Sequence, residues 1–180
     1  ASICVLGPLL ARCGQAEVAM PGGDAIGTRP LDFHMAGLTK LGAELDNAHG
    51  YIVGRAPKGL TGASVWLDFP SVGATEQVLL AAVRAHGVTE LRNAAVEPEI
   101  MDLIALLQKM GAIITVHTDR VIQIEGVDNL RGYRHRPIPD RIEAASWAAA
   151  ALATRGDVEV LGARQADMMT FLNVYRSIGG

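Results

Sequence analysis

Aromatic residues make up only 4% of the 180 positions, and cysteine occurs just twice. A core with so few rings is filled by Ala, Val, Leu and Ile, and a hydrophobic content of 49% supplies enough of them for a large one. Cys4 and Cys13 make neither a disulfide framework nor a metal cluster, and the five histidines are scattered without ligand spacing. Free Cys4, on a helix expected over 2–12, is expected to be buried. An excess of positive charge is also lacking. The net charge of −3 argues against a nucleic-acid partner or a polybasic membrane contact. The longest apolar runs, such as AASWAAAALA over 144–153, fall far short of the roughly 20 residues of a membrane span. The first residues have no basic n-region, so no signal peptide is expected, and the sparse cysteine points to the cytoplasm.

What the chain has instead is internal repetition. LGAEL (41–45) recurs as MGAII (110–114) and again as IGG (178–180), aligning Gly42, Gly111 and Gly179. ARCGQAEV, RAHGVTEL and ATRGDVEV align Gly14, Gly87 and Gly156 in the same order. Each unit opens with an Ala/Leu-rich helix, over 2–12, 75–86 and 141–154. Each helix ends near a basic residue followed by glycine, which reads as a C-cap. Alternating strands follow over 16–20, 89–93 and 158–162. Second helices are expected over 30–41, 98–110 and 166–177. Further strands are expected around 51–55 and 63–69, then over 112–116 and 121–124. The period is roughly 70 residues, and about two and a half units are present, as if cut from a longer protein.

The stretch AMPGGDAIGTRPLDFH (19–34) stands apart, with glycines and prolines around Asp24 and Arg29 between a strand and a helix. Alone, Asp24 reads as a turn acid and Arg29 as a solvated cation, although a guanidinium fork also suits phosphate or carboxylate oxygens. Pro30 fits the first turn of the following helix, whose exposed N–H groups favour an anion. His34, one turn in, reads as either a helix-face residue or a ligand. In FPSVGAT (69–75), followed by Glu76, Ser71 reads as an N-cap that starts a helix. Glu97 and Glu99 complement a helix dipole. Arg141 and Glu143 suit an ion pair or a substrate contact equally.

PGGDAIGTRPLDFH, with FPSVGAT, NAAVEPEIMDLI (93–104) and PDRIEA (139–144) in register, resembles the bacterial UDP-N-acetylglucosamine enolpyruvyl transferase family over essentially the whole chain. The resemblance implies an α/β fold, an inside-out α/β barrel of repeated βαβαββ units with helices inside and sheets outside. It implies that residues 1–138 are most of one domain and 139–180 the truncated start of a second, with RPIPDR (136–141) as the crossover. The partners implied are UDP-N-acetylglucosamine, phosphoenolpyruvate and the missing remainder of the chain. No cofactor, metal, nucleic acid or membrane is implied. The resemblance makes Asp24 and Arg29 catalytic and assigns Arg29, Pro30, Leu31, Asp32, Phe33, Phe69, Pro70, Ser71, Val72 and Gly73 to substrate binding.

Two departures from the family pattern stand out. Asp24 occupies the position of a usual cysteine, which removes the thiol that the antibiotic fosfomycin alkylates. A carboxyl group of ordinary pKa, about 3.9, donates a proton there only if closure over anionic substrates raises that value. Phe69 stands where a basic residue is frequent, so one charge contact to the nucleotide is missing. The family's Lys-Asn pair, an arginine just before residue 1 and the second domain's acid and arginines all lie outside the chain. The 180 residues alone are therefore expected to lack turnover, to fold marginally and to associate. The alternatives are the related shikimate-pathway transferase, which lacks this loop, and a repeat domain that binds a UDP-sugar without turnover.

Overall fold

The computed structural model describes residues 2–22, 27 and 30–180. They form two compact units, Ala1–His135 and Arg136–Gly180. In the first unit, a 3-10 turn at Ser2–Val5 leads into α1 (Leu6–Cys13), then β1 (Gln15–Ala19), α2 (Asp32–Lys40), β2 (Glu44–Ala48) and β3 (Tyr51–Arg55). The second repeat is complete: β4 (Ser64–Trp66), α3 (Val72–Ala82), β5 (Val88–Arg92), α4 (Pro98–Lys109), β6 (Ile113–Val116) and β7 (Ile122–Glu125). It is a βαβαββ unit of the expected kind.

The two repeats pair their strands alike. The first sheet runs β1-β3-β2, all antiparallel, and sets Gln15 and Glu44 on either side of Arg55. The second runs β4-β5-β7-β6 and sets Val88 and Ile113 on either side of Glu125. Its extra strand, β4, pairs parallel with β5. Two expectations change here. The strand expected over 63–69 is only Ser64–Trp66 and opens the second repeat rather than closing the first. The strand that does pair with β3 is β2, ELDNA, whose polar residues hide the alternation of a half-buried strand.

The helices are inside and the sheets outside. In α3, Ala74, Thr75, Gln77, Val78, Leu79, Ala81 and Ala82 are all buried. Leu6, Leu10, Leu38, Leu91, Ile100, Ile122 and Ile124 fill the space around it. Two glycines let the neighbouring helices close on α3. A Cβ on Gly37 would lie 2.6 Å from Val78 Cγ2, and one on Gly7 would lie 2.9 Å from the Gln77 carbonyl oxygen. With its amide oriented to satisfy both sides, buried Gln77 donates to the Ile3 and Cys4 carbonyls and accepts from the Gly7 N–H at 3.1–3.3 Å. The end of the unit is pinned by His135, whose Nε2 lies 3.1 Å from both Asp102 oxygens and whose Nδ1 is 3.0 Å from Lys109 Nζ.

One set of aligned glycines closes helices, although the C-caps were expected of the other set. Gly42, Gly111 and Gly179 all have φ between 92° and 101°. The N–H groups of the residues that follow them, Ala43, Ala112 and Gly180, donate to the carbonyls of Leu38, Leu107 and Tyr175 at 3.0 Å. This is the same Schellman closure three times. The other set behaves alike only at Gly14, which is left-handed and donates to Leu10. α3 stops at Ala82, well before Gly87. In the second unit Arg155, not Gly156, takes the left-handed position after α5.

That second unit comprises α5 (Arg141–Thr154), a 3-10 turn at Gln165–Met168 and α6 (Met169–Ser177). Asp140 caps α5, accepting from the Ile142 and Glu143 N–H groups at 2.8 and 3.1 Å. Tyr175 donates its hydroxyl to the Ala148 carbonyl at 2.8 Å. The strand expected over 158–162 is not formed. A strand needs a ladder partner, and no described strand of this unit supplies one. Among the described residues no helix is long and apolar enough to cross a membrane.

Candidate functional site

Three helices present their N-terminal ends side by side. Cys4, in the turn that opens α1, lies beside Gly73 and Glu76 of α3, and Gly7 lies one turn further along beside Gln77 and Ala81. On the other flank His34 of α2 meets Gly73, and Gly37 meets Val78. Both pairs advance in the same direction, so α1, α2 and α3 run parallel. Their first N–H groups, which no intrahelical carbonyl accepts, gather at one end.

The residues singled out in the sequence fall at that end. Leu31 is the N-cap of α2, and Asp32 is its first residue. Pro30 therefore lies just before the helix rather than in its first turn. Pro30 and Asp32 are exposed, while Leu31 and Phe33 are half-buried. Ser71 is the N-cap of α3, as the sequence suggests, and its hydroxyl accepts from the Ala74 N–H at 3.3 Å. The helix begins at Val72, earlier than expected. Thr75 N–H already bonds to the Ser71 carbonyl, so Val72 and Gly73 carry the N–H groups without a helical acceptor. Pro70 is half-buried, and Phe69 is 63% exposed beside it. The structure thus brings Pro30–Phe33 and Pro70–Gly73 to one place. Asp24 and Arg29 lie outside the described residues.

Two side chains between the helices were not assigned a role from the sequence. His34 is 8% exposed, its Nδ1 is buried without a hydrogen-bond partner among the described residues, and its ring lies against Gly73. Burial lowers its pKa below the ordinary imidazole value against the opposing charge of Asp32. The available signal was its place on the stripe formed with Gly37 and Leu38, which are also buried. Cys4 is half-buried rather than enclosed. Burial, reinforced by the Glu76 carboxylate 3.6 Å away, pushes its thiol up to about 11, so it is a packing thiol and not a nucleophile.

Of the acids read as structural, Glu97 is the N-cap of α4 and Glu99 lies in its first turn, with Pro98 between them. Among the described residues no group of three His, Cys, Asp or Glu is placed to hold a metal ion. What the arrangement can offer an anion is two helix starts in contact, one of them with a glycine in its first turn.

Comparison with known proteins identifies the scaffold. The UDP-N-acetylglucosamine 1-carboxyvinyltransferase of Nocardia farcinica is 54% identical over 99% of the chain, which spans 42% of that relative's length. The enolpyruvyl transferase NikO from Streptomyces tendae superposes with a TM-score of 0.68 at 26% identity, over 82% of this chain and 36% of that one. An EPSP synthase from Acinetobacter baumannii shares the fold, with a TM-score of 0.61 at 21% identity over 83% of this chain and 34% of its own. The sequence matches the EPSP synthase (3-phosphoshikimate 1-carboxyvinyltransferase) family over residues 1–180, and the chain belongs to that family.

Proposed function

We propose that the protein carrying this chain transfers enolpyruvate from phosphoenolpyruvate to the 3′-hydroxyl of UDP-N-acetylglucosamine, releasing phosphate. This is the first committed step of peptidoglycan synthesis, and so serves cell shape and division. The observation that carries the reading is the 54% identity to a UDP-N-acetylglucosamine 1-carboxyvinyltransferase over nearly every residue. The geometry supports it, because a nucleotide diphosphate needs clustered N–H donors and the starts of α2 and α3 supply them side by side. The reaction belongs in the cytoplasm, where both substrates are made. The two compact units support a domain boundary close to residue 138.

In this reading Asp24 donates a proton to C3 of phosphoenolpyruvate and C2 becomes electrophilic. The sugar hydroxyl adds there and loses its proton. The tetrahedral ketal then gives up a C3 proton and phosphate, leaving the enolpyruvyl ether. Asp24 is suited to this only when neutral, so closure over two anionic substrates must raise its pKa, and closure also keeps water out. Arg29 holds substrate anions at the base of the loop. Pro30–Phe33 and Phe69–Gly73 hold the nucleotide sugar. Groups from both domains surround one substrate, so the 180 residues alone have no appreciable turnover.

The test is phosphate release by the enzyme assayed at the full length of its relatives, with phosphoenolpyruvate and each acceptor in turn. Release that requires UDP-N-acetylglucosamine and ignores fosfomycin is the expected result. Release that requires shikimate 3-phosphate instead overturns the acceptor. Binding of the UDP-sugar without release with either acceptor leaves a binding module.

A further inference from the structure

We propose that His34 is a positioning residue for the nucleotide-sugar subsite: its ring bears on Gly73 and sets the spacing between the starts of α2 and α3. The inference rests on the proposed reading of those two helix starts.

Stability alone does not explain a histidine at this position. It is 8% exposed, and its Nδ1 is buried with no partner among the described residues, an arrangement in which a leucine of similar bulk would pay no penalty for a lost hydrogen bond. What the ring does have is a specific contact. A Cβ added to Gly73 would lie 3.1 Å from both Cε1 and Nε2 of His34, so the ring presents its Cε1–Nε2 edge to the glycine. On its carbonyl side the same glycine faces the Cys4 thiol at 3.9 Å. Gly73 is thereby held between the turn that opens α1 and the first turn of α2.

Gly73 also carries one of the two N–H groups at the start of α3 that no helical carbonyl accepts. A shift of the ring therefore shifts an anion donor. His34 itself follows Pro30–Phe33 directly, at the point where the connection bearing Asp24 and Arg29 joins α2. The starts of α2 and α3 are linked through one ring and one glycine. The lowered imidazole pKa keeps this ring neutral near pH 7, so its part is steric rather than electrostatic.

Four proteins at the full length of the relatives test this: wild type, His34→Ala, Gly73→Ala and the double variant. KM is measured for each substrate, with kcat and a thermal melt. His34→Ala is expected to raise KM for UDP-N-acetylglucosamine about 10- to 100-fold, with kcat and KM for phosphoenolpyruvate nearly unchanged. Gly73→Ala drives a methyl into the ring and is expected to do at least as much. Removing the ring makes room for that methyl, so the double variant is expected to bind no worse than Gly73→Ala alone. Independent, multiplying losses overturn the coupling. So does a lowered melting temperature with KM unmoved, which is the signature of packing alone. If His34→Ala does not fold, His34→Asn takes its place in the cycle under the same criteria. A wild-type enzyme that neither binds nor turns over the UDP-sugar overturns the functional reading itself, and is distinguished by that control.

Discussion

The first repeat separates β1 from α2 by residues 20–31, whereas the second separates β5 from α4 by residues 93–97. The short connection is closed by buried bonds. Ala95 N–H donates to Thr75 Oγ1 at 3.0 Å, Ala94 N–H to the Arg120 carbonyl at 2.9 Å, and Asn93 to the Leu67 carbonyl at 2.7 Å. Ala94 and Ala95 are fully buried. Elsewhere the repeats agree in strand register and in the glycine closure of their second helices. One scaffold is thus used twice, and the long connection carrying Asp24 and Arg29 is added in only one copy. In the proposed reading, chemistry enters where a loop is lengthened while the packing beneath it stays the same.

The largest effect should come from the long connection. Asp24→Asn, which keeps the shape and loses the proton, is expected to lower kcat about 10²- to 10⁴-fold in a phosphate-release assay. Asp24→Cys is expected to retain turnover and become alkylated by fosfomycin, detectable as added mass. Turnover undiminished in Asp24→Asn would remove the acid from the mechanism.

The short connection is tested through stability. Thr75→Val leaves the Ala95 N–H buried without an acceptor and is expected to cost about 1–3 kcal/mol in urea unfolding. A neutral result would mean that the second connection is not held as its geometry indicates.

The equivalence of the two repeats is sharpened by Gly42→Ala and Gly111→Ala. Both glycines sit at positive φ after a helix, and each substitution is expected to cost about 1–2 kcal/mol. Costs differing by more than that amount would show that the closures are alike in shape but not in energy. The smallest effect is expected at Thr89, fully buried on β5 with its hydroxyl lacking a partner among the described residues. Thr89→Val should be neutral or stabilising by less than about 1 kcal/mol, and a clear loss would reveal a partner for that hydroxyl.

Much of this comparison was legible in the sequence wherever the cause is local. The period, the second helices, the Ser71 cap and the Gly14 cap depend on a few neighbouring residues and were readable, whereas the C-caps expected at Gly87 and Gly156 did not form. β2 was not, because ELDNA is a polar edge strand defined by its ladder with β3. The 158–162 segment failed the other way, since VEVLG alternates well but the described structure gives it no partner. Of the site, the residues at the two helix starts were legible as motifs. Their meeting was not, because residues 34 and 73 touch only through the parallel packing of α2 on α3.

The sequence by itself determined the repeat, the second helices and the family, since these follow from side-chain periodicity and motif order. Tertiary structure alone decided which polar residues become strands, where α3 ends, which glycines serve close packing rather than capping, and that a histidine meets a glycine of the next repeat. Those outcomes depend on which surfaces meet, and contact between residues far apart in the chain is not encoded in any one stretch of it.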